Sequence, residues 1–330
     1  MKKVLFVFAA IIISFLAVEI FLGYVLWIKK SHTPSAIYYT LRKMYSRVYR
    51  QTDTSFIPKT MYVTDEYLGY ANTPGSYTVK IKDRSTGRYH SFATTINKEG
   101  NRITSFAPEL FEGKKSVWIF GDSFAFGWGN NDETTFPFFL QQFLPNFSVV
   151  NYAGCGYGNI HAYLQIKKEL EKAKDSPAII VIVYGDYFNV RNVAAPSRLK
   201  EYRYNDASWE NIDPSKWSHP KAVLNHGKLE IEYVPLFWKF NKPSGDKDPS
   251  KEYQRDVTKE ILREIYGMAE KSGSKLILAF IVGDNSDEVV AFCRKMGYFI
   301  SDIRPKAERN EWDSFGPFNG HPGPWALGSG

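Results

Sequence analysis

Short apolar runs alternate with amphipathic stretches through the second half of the chain. The apolar runs are rich in β-branched and aromatic residues, which is typical of strands covered on both faces: "SVWIF", "FSVVN", "AIIVIVY", "KLILAFI" and "YFISDI". The stretches between them space their apolar residues as helices do: "TTFPFFLQQFL", "GNIHAYLQIKKELEKAKDS", "PSKEYQRDVTKEILREIYGMAEKSG" and "SDEVVAFCRKMG". Strands that alternate with helices predict an α/β fold with a mostly parallel sheet.

The amino-terminal region begins with a long apolar run. Residues 4–28 contain a single charge, Glu19, and lysine pairs at 2–3 and 29–30 flank the run. As a helix the run would span roughly 37 Å, against a bilayer core of about 30 Å. It is longer than the apolar core of a signal peptide and does not end at a small-residue cleavage site. We therefore predict an uncleaved transmembrane anchor over residues 1–30.

The remainder divides into two predicted regions. Residues 31–114 are predicted to form a membrane-proximal segment, with a basic, Tyr-rich, partly helical stalk up to about residue 60. Within it "YTVKIKD" and "HSFATTIN" alternate polar and apolar residues around "RSTGR", which predicts a β-hairpin. Residues 115–330 are predicted to form the α/β domain. The strand–helix pattern is lost at about 193–250 apart from "KLEIEYV", which indicates an insertion or lid with one hairpin strand.

Composition narrows the function classes. The net charge of +7 is spread along the chain, and no zinc-finger or RNA-binding signature is present, so nucleic acid is not an expected partner. A basic surface beside an anionic membrane or wall polymer is the simpler interpretation. Cys155 and Cys293 have neither CxxC nor metal-ligand spacing. The sequence does not decide whether they form a disulfide, but we favour two free thiols because Cys155 lies in a Gly-rich motif.

Chemically capable residues follow the predicted strands. Ser123 comes after "SVWIF" in "FGDSFAFGWG", "NYAGCGYG" comes after "FSVV", and "YGDYFN" ends the third strand. His321, in "FNGHPGPW", follows the last strand. Ligands of such sheets bind beyond the carboxyl ends of the strands, so the four loops can converge on one crevice.

This set of residues meets the demands of acyl transfer. A serine nucleophile needs a base within hydrogen-bond reach, and one of the six histidines, His321, lies in a loop after the last strand. The developing oxyanion needs donors, which the amides of Ser123 and Gly156 and the side chain of Asn189 can supply. Taken singly, each motif is more simply a turn, a phosphate-binding loop or a structural histidine. Their order and spacing together favour a catalytic site.

The motifs resemble those of the SGNH/GDSL hydrolases. "FGDSFAFGWG" is similar to the block that carries the serine nucleophile, and "NYAGCGYG" is similar to the block with the oxyanion glycine, here Gly156. "INKEGNRI" and "DEYLGY" resemble the lead-in of membrane-anchored bacterial members, so the resemblance covers about residues 64 to 326. It implies a flavodoxin-like, three-layer α/β/α sandwich, an ester-cleaving activity and no metal or organic cofactor.

The later blocks depart from the family pattern. The third block usually reads Gly-x-Asn-Asp, but "GDYFNVRN" leaves both Asn189 and Asn192 as candidates for the oxyanion asparagine. The residue that orients the histidine is usually an aspartate two or three positions before it, and Asn319 stands in that region instead. Asp313 is the alternative acid, and a Ser–His dyad is a third possibility. Loss of the aspartate charge costs a serine protease about 10⁴ in turnover.

Two function classes follow from the sequence. The first is a membrane-anchored serine esterase or O-acyltransferase that acts on O-acyl groups, O-acetyl esters of a surface polysaccharide being the predicted substrate. In this hypothesis Trp128, between two glycines, stacks on a sugar ring. The second is a catalytically weak binding or assembly protein of a polysaccharide export system. Charge counting near the anchor slightly favours a cytoplasmic domain, whereas the resemblance implies the extracytoplasmic side, which we predict.

Overall fold

The computed structural model describes residues 52–83, 87–199, 217–235, 247–282 and 287–303. The predicted anchor, most of the stalk, and the predicted base and acid at His321, Asn319 and Asp313 lie outside these ranges. Within them, no helix has the length and apolar character needed to cross a bilayer.

The centre of the fold is a five-stranded sheet in which all neighbours are parallel. Its strands are β6 (Lys115–Phe120), β7 (Phe147–Asn151), β8 (Ile179–Gly185), β11 (Lys275–Val282) and β12 (Phe299–Asp302). Their order across the sheet is β12-β11-β8-β6-β7. Counted from β6, this is the 2-1-3-4-5 order of flavodoxin-like folds, with the topological switch point between β6 and β8. The prediction of a mostly parallel α/β sheet is confirmed.

Helices connect these strands. They are α1 (Ser123–Phe126), α2 (Phe136–Phe143), α3 (Asn159–Lys172), α4 (Phe188–Asn192), α5 (Lys251–Lys271) and α6 (Asp287–Lys295). Right-handed crossovers place α2 on one face of the sheet, and α3, α5 and α6 on the other. In agreement, α2 packs on β7, and α5 packs on both α3 and α6.

The amino-terminal part is more strand-rich than predicted. The predicted hairpin is present as β4 (Gly75–Asp83) and β5 (Tyr89–Ile96), and β1 (Thr52–Ile57) pairs with β4 to complete an antiparallel sheet. β1 occupies the end of the predicted stalk, where the sequence pattern predicts no strand. β2 (Tyr62–Asp65) and β3 (Gly69–Asn72) form a second hairpin. Arg102 forms isolated bridges to Ile96 of β5 and Asn151 of β7, so the small sheet joins the edge of the parallel sheet.

The region of the predicted insertion contributes one more hairpin. β9 (Ser218–Asn225) pairs antiparallel with β10 (Lys228–Pro235), which is the strand predicted from "KLEIEYV". β9 contacts β3, α3, α4 and α5. Gly69 lies so close to this strand that a Cβ there would be 2.8 Å from the Ser218 carbonyl oxygen. The hairpin therefore packs against the amino-terminal segment as well as the α/β layers.

Candidate functional site

Ser123 lies on a tight turn at the end of β6. It is the first residue of α1 and is largely buried, with 8% of the residue exposed. Asp122 precedes the helix and accepts a hydrogen bond through Oδ1 from the Phe124 N–H at 3.1 Å. Gly121 has no room for a side chain, because a Cβ would lie 2.8 Å from Ala125 Cβ. Ser123 therefore follows its strand directly, as predicted, and a short helix that begins at the serine holds it at the carboxyl end of β6.

Arg102 holds the backbone that follows α1. Its side chain is 0% exposed and pairs with Asp132 at 2.8 Å. The remaining guanidinium hydrogens are donated to four carbonyl oxygens at 2.7 to 3.1 Å, those of Ala93, Phe126, Gly127 and Asn130. Since Ala93 belongs to β5, this arginine joins the small sheet directly to the turn that carries Ser123.

Trp128 has a packing role. Its ring centroid lies 5.2 Å from that of Phe92 and 6.2 Å from that of Phe56, in an apolar cluster on the small sheet. The neighbouring Gly129 carbonyl contacts His90 Nε2 at 2.7 Å. Trp128 therefore attaches the small sheet to the nucleophile turn, and its stacking on a sugar ring stays a prediction.

Gly156 lies in a β-turn that is anchored on both sides. The Tyr157 N–H donates to the Gly154 carbonyl at 3.0 Å, and Gly156 has a φ of 86°, which suits glycine at the third position of a type II turn. The Gly154 N–H donates to the Gly121 carbonyl at 3.2 Å, so this loop touches the nucleophile turn. Tyr70 of β3 donates to the Cys155 carbonyl at 2.7 Å, and the Tyr157 hydroxyl donates to the Tyr70 carbonyl at 2.7 Å.

The two candidate asparagines differ in how their amides are used. Asn189 is 8% exposed, and its Oδ1 accepts hydrogen bonds from Tyr184 Oη at 3.1 Å and Thr258 Oγ1 at 2.7 Å. Within the described part of the chain no hydrogen bond engages its Nδ2. The two hydroxyls therefore fix the carbonyl end and leave the amide nitrogen as a donor.

Asn192 is instead a structural residue. It is 0% exposed, its Oδ1 accepts from the Ile160 N–H at 3.1 Å, and its Nδ2 donates to Asn159 and Thr258. Since both ends of its amide are engaged inside the protein, the geometry favours Asn189 as the residue whose amide nitrogen is available as a donor. Asp186, three residues before Asn189, is half-buried, and its carbonyl accepts from the Asn189 N–H at 3.1 Å.

Arg191 joins the loops that follow β6, β7 and β8. Its Nη1 lies 2.8 Å from Asp122 Oδ2 and donates to the Tyr157 carbonyl at 2.8 Å. The Asp122 side chain is 1% exposed, so the guanidinium compensates a buried charge. Burial, and next the neighbouring Asp122 carboxylate, raise the pKa of Tyr187 well above its ordinary value, so this phenol stays protonated.

Two buried histidines, His161 and His219, lie near the Gly156 loop, and neither is a candidate for the base. His161 Nδ1 accepts from the Gly158 N–H at 3.0 Å, and its ring stacks on Tyr157 with centroids 4.4 Å apart. Burial, followed by the neighbouring His219, lowers the pKa of His161 well below its ordinary value. Burial, then Arg198 and Arg191, lower the pKa of His219 to about 3. Both rings are therefore neutral at physiological pH.

Both cysteines are thiols and not a disulfide, as predicted. Cys155 is half-buried in the Gly156 loop, whereas Cys293 is buried in α6, and burial raises its pKa to about 12. Cys293 is therefore a packing residue with little thiolate character.

Sequence reasoning missed the residues that hold the site together. Arg102, Tyr70 and Arg191 lie within the quoted segments "INKEGNRI", "DEYLGY" and "GDYFNVRN", but these segments gave them no role, because each acts on a residue distant in the chain. Thr258 lies in the middle of α5, where an amphipathic pattern predicts packing alone.

Comparison with known proteins gave structural likenesses alone. No family model matches the chain, and no curated protein sequence matches it. The solved structures that it resembles include SGNH and GDSL proteins, the family predicted from the sequence blocks. One is TesA, at 14% identity over 64% of this chain and 92% of that chain, with a TM-score of 0.33. Another is AlinE4, an SGNH-hydrolase family esterase, at 13% identity over 58% and 76%, with a TM-score of 0.33.

A third is a putative lipolytic protein of the G-D-S-L family from Desulfitobacterium hafniense DCB-2. It is 14% identical over 65% of this chain and 98% of that chain, with a TM-score of 0.34. Likenesses at such TM-scores carry no argument about activity. The functional conclusion therefore rests on the geometry around Ser123.

Proposed function

We propose that the protein is a serine ester hydrolase of the SGNH type that cleaves O-acyl esters through an acyl-enzyme on Ser123. The observation that carries the proposal is the amide of Asn189. Two hydroxyls hold its carbonyl end, and its nitrogen is left as a donor in the helix that follows β8, one of the two strands at the switch point of the sheet. Such a preorganised donor is what an oxyanion requires.

The proposed reaction has two steps. Ser123 Oγ attacks the acyl carbon and its proton passes to His321, while the carbonyl oxygen becomes an oxyanion that accepts hydrogen bonds from Gly156 N–H and Asn189 Nδ2. Collapse of this intermediate breaks the ester C–O bond, and the proton returns to the leaving alcohol. Water then attacks the acyl-enzyme in the same way and releases the acid. In the transferase variant a sugar hydroxyl replaces water in the second step.

The orienting acid is proposed from the sequence. If Asn319 occupies its position, Asn319→Asp should raise turnover, because a carboxylate stabilises the imidazolium. If Asp313 has that role, Asp313→Asn should lower turnover sharply while Asn319→Asp changes little. The absence of an effect from either change would identify a dyad.

The proposed location and substrate rest on the sequence as well. The apolar run at 4–28 supports a membrane anchor, and the family resemblance supports an extracytoplasmic domain that acts on O-acetylated surface polysaccharide. Alkaline phosphatase fused after residue 114 should be active if this orientation is correct. If the alkaline phosphatase fusion is inactive and a green fluorescent protein fused at the same position is fluorescent, the domain lies in the cytoplasm. Surface polysaccharide is then excluded as the substrate.

A fluorophosphonate probe tests the proposed chemistry without knowledge of the substrate. We expect one adduct per chain, located on Ser123 by mass spectrometry of peptides, and no adduct on the Ser123→Ala variant. His321→Ala should abolish labelling, while the control variant His226→Ala, in the turn between β9 and β10, should label normally. Equal labelling of wild type and Ser123→Ala would refute the mechanism, and unlabelled wild type would favour the binding protein.

A further inference from the structure

Arg191 lies where the three loops of the candidate site meet. Its Nη1 is 2.8 Å from Asp122 Oδ2 in the nucleophile turn and 2.8 Å from the Tyr157 carbonyl in the Gly156 loop. Arg191 itself belongs to α4, the five-residue helix that carries Asn189. One guanidinium therefore contacts the chain neighbours of Ser123 and Gly156 and shares a short helix with Asn189.

Asp122 transmits this contact to the serine. Its Oδ2 is bound to Arg191, and its Oδ1 accepts the Phe124 N–H at 3.1 Å, one residue beyond Ser123. A carboxylate held at both oxygens cannot rotate without breaking one of these bonds. The direction of the first turn of α1, and so of the Ser123 side chain, therefore depends on where Arg191 lies.

The guanidinium is itself fixed in place. Its carbon lies 4.5 Å from the ring centroid of Tyr187 and 5.3 Å from that of Phe188, and the side chain is 12% exposed. Planar stacking on aromatic rings favours arginine over lysine. The arginine is thus held by its own helix while it binds the other two loops.

We propose that Arg191 is a positioning residue that keeps the Ser123 turn, the Gly156 loop and Asn189 in one register. It also compensates the Asp122 charge, which otherwise would oppose an oxyanion forming beside it. The inference rests on the proposed function in so far as the register serves ester cleavage. The connection between the loops can be measured separately.

The test uses the full chain, with two measurements for each variant. One is the rate of fluorophosphonate labelling at Ser123, and the other is hydrogen exchange in peptides covering 121–128 and 154–158. For Arg191→Met we expect labelling about 10²-fold slower, because small misplacements of reacting groups cost this much. Exchange should be faster in both segments.

A conservative variant and a matched control separate positioning from general damage. Arg191→Lys retains the charge and should label within about tenfold of wild type. Arg263→Met removes an arginine that also pairs with a carboxylate, Glu260, and stacks on an aromatic ring, Phe292, but lies on α5 away from the crevice. It should change neither labelling nor exchange in the two segments.

The double variant Asp122→Asn with Arg191→Met tests the charge. It should label faster than Arg191→Met alone, because no uncompensated buried carboxylate remains. If Arg191→Met does not fold, this double variant and Arg191→Lys carry the test. A slower rate with raised exchange in the folded double variant, together with labelling of Arg191→Lys within about tenfold of wild type, then supports the proposal, and wild-type labelling and exchange in the double variant overturn it.

The two proposals fail in different ways. Labelling of Arg191→Met at the wild-type rate, in a folded chain with unchanged exchange, would overturn the role of Arg191 and leave the esterase proposal intact. If wild type is not labelled, the esterase proposal fails. The exchange data then still decide whether Arg191 joins the loops.

Discussion

Two arginines hold the turn that carries Ser123, one after it and one before it. Arg102 contacts the backbone that follows α1 and is fully buried, with four carbonyl oxygens and Asp132 as acceptors. Arg191 lies on α4, contacts Asp122 before the turn, and is partly exposed. We call these the frame side, defined by Arg102 and the small sheet, and the crevice side, defined by Arg191, Asp122 and Asn189.

The difference separates folding from reactivity. On the frame side, a cation is satisfied mainly by backbone oxygens of two separate segments, so its loss leaves several buried carbonyls unpaired. On the crevice side, side chains of the site's own loops pair with one another, and the Arg191 guanidinium serves a single backbone carbonyl, that of Tyr157. We therefore expect frame-side substitutions to lower stability and crevice-side substitutions to lower reactivity.

The largest expected effect is on the frame side. Arg102→Met should lower the free energy of unfolding by about 3–5 kcal/mol, because it leaves Asp132 as an uncompensated buried charge. Denaturant unfolding measures this loss. Arg191→Met also leaves a buried carboxylate, Asp122, uncompensated, but it should lose less stability, since it deprives one backbone carbonyl of its donor where Arg102→Met deprives four. Equal losses in the two variants would break the distinction between the two sides.

Two asparagines three positions apart provide the second comparison. Asn189→Ala should lower labelling or ester cleavage about 10²–10³-fold, the usual cost of one oxyanion donor, with a smaller effect on stability. Asn192→Ala should mainly lower stability, because three groups lose a buried partner. The opposite result, with reactivity lost in Asn192→Ala and kept in Asn189→Ala, would exchange their roles.

A pH titration of stability tests the histidines behind the crevice. The pKa of His219 is about 3 in the folded state, so between pH 6.5 and 3 the unfolded chain binds the proton and the folded chain does not. Stability attributable to this group is therefore unchanged above about pH 6.5, and falls by about 1.4 kcal/mol per pH unit as the pH decreases below it. His219→Gln should flatten this slope in acid denaturation curves. A slope identical to that of wild type would contradict the assignment.

The smallest expected effect concerns Tyr70, which belongs to the amino-terminal segment but contacts the Gly156 loop. Tyr70→Phe removes the hydrogen bond to the Cys155 carbonyl and should lower stability by about 1 kcal/mol. Exchange in the peptide 154–158 should increase, with no change in 121–128. Tyr233→Phe, which removes the bond to the Tyr67 carbonyl, is the control and should leave 154–158 unchanged.

Local patterns were enough to predict most elements of the α/β layers. The strands β6, β7, β8 and β11 are apolar runs, and α3 and α5 have helical spacing, so periodicity and residue type decide them without distant contacts. β1 was missed because "TDTSFI" is short and mixed, and its strand conformation depends on pairing with β4. Pairing partners far along the chain leave no local signal in such a segment.

The sequence by itself determined the turn at Ser123, because a glycine that tolerates no Cβ and an aspartate that caps a helix act on their immediate neighbours. It left Asn192 as an alternative to Asn189 for the oxyanion asparagine, since both lie in the segment "GDYFNVRN". The tertiary structure decided between their environments through Thr258 of α5 and Tyr184 of β8. Buried hydrogen bonds between distant segments depend on which surfaces meet, and that is settled when the layers pack and not by local propensity.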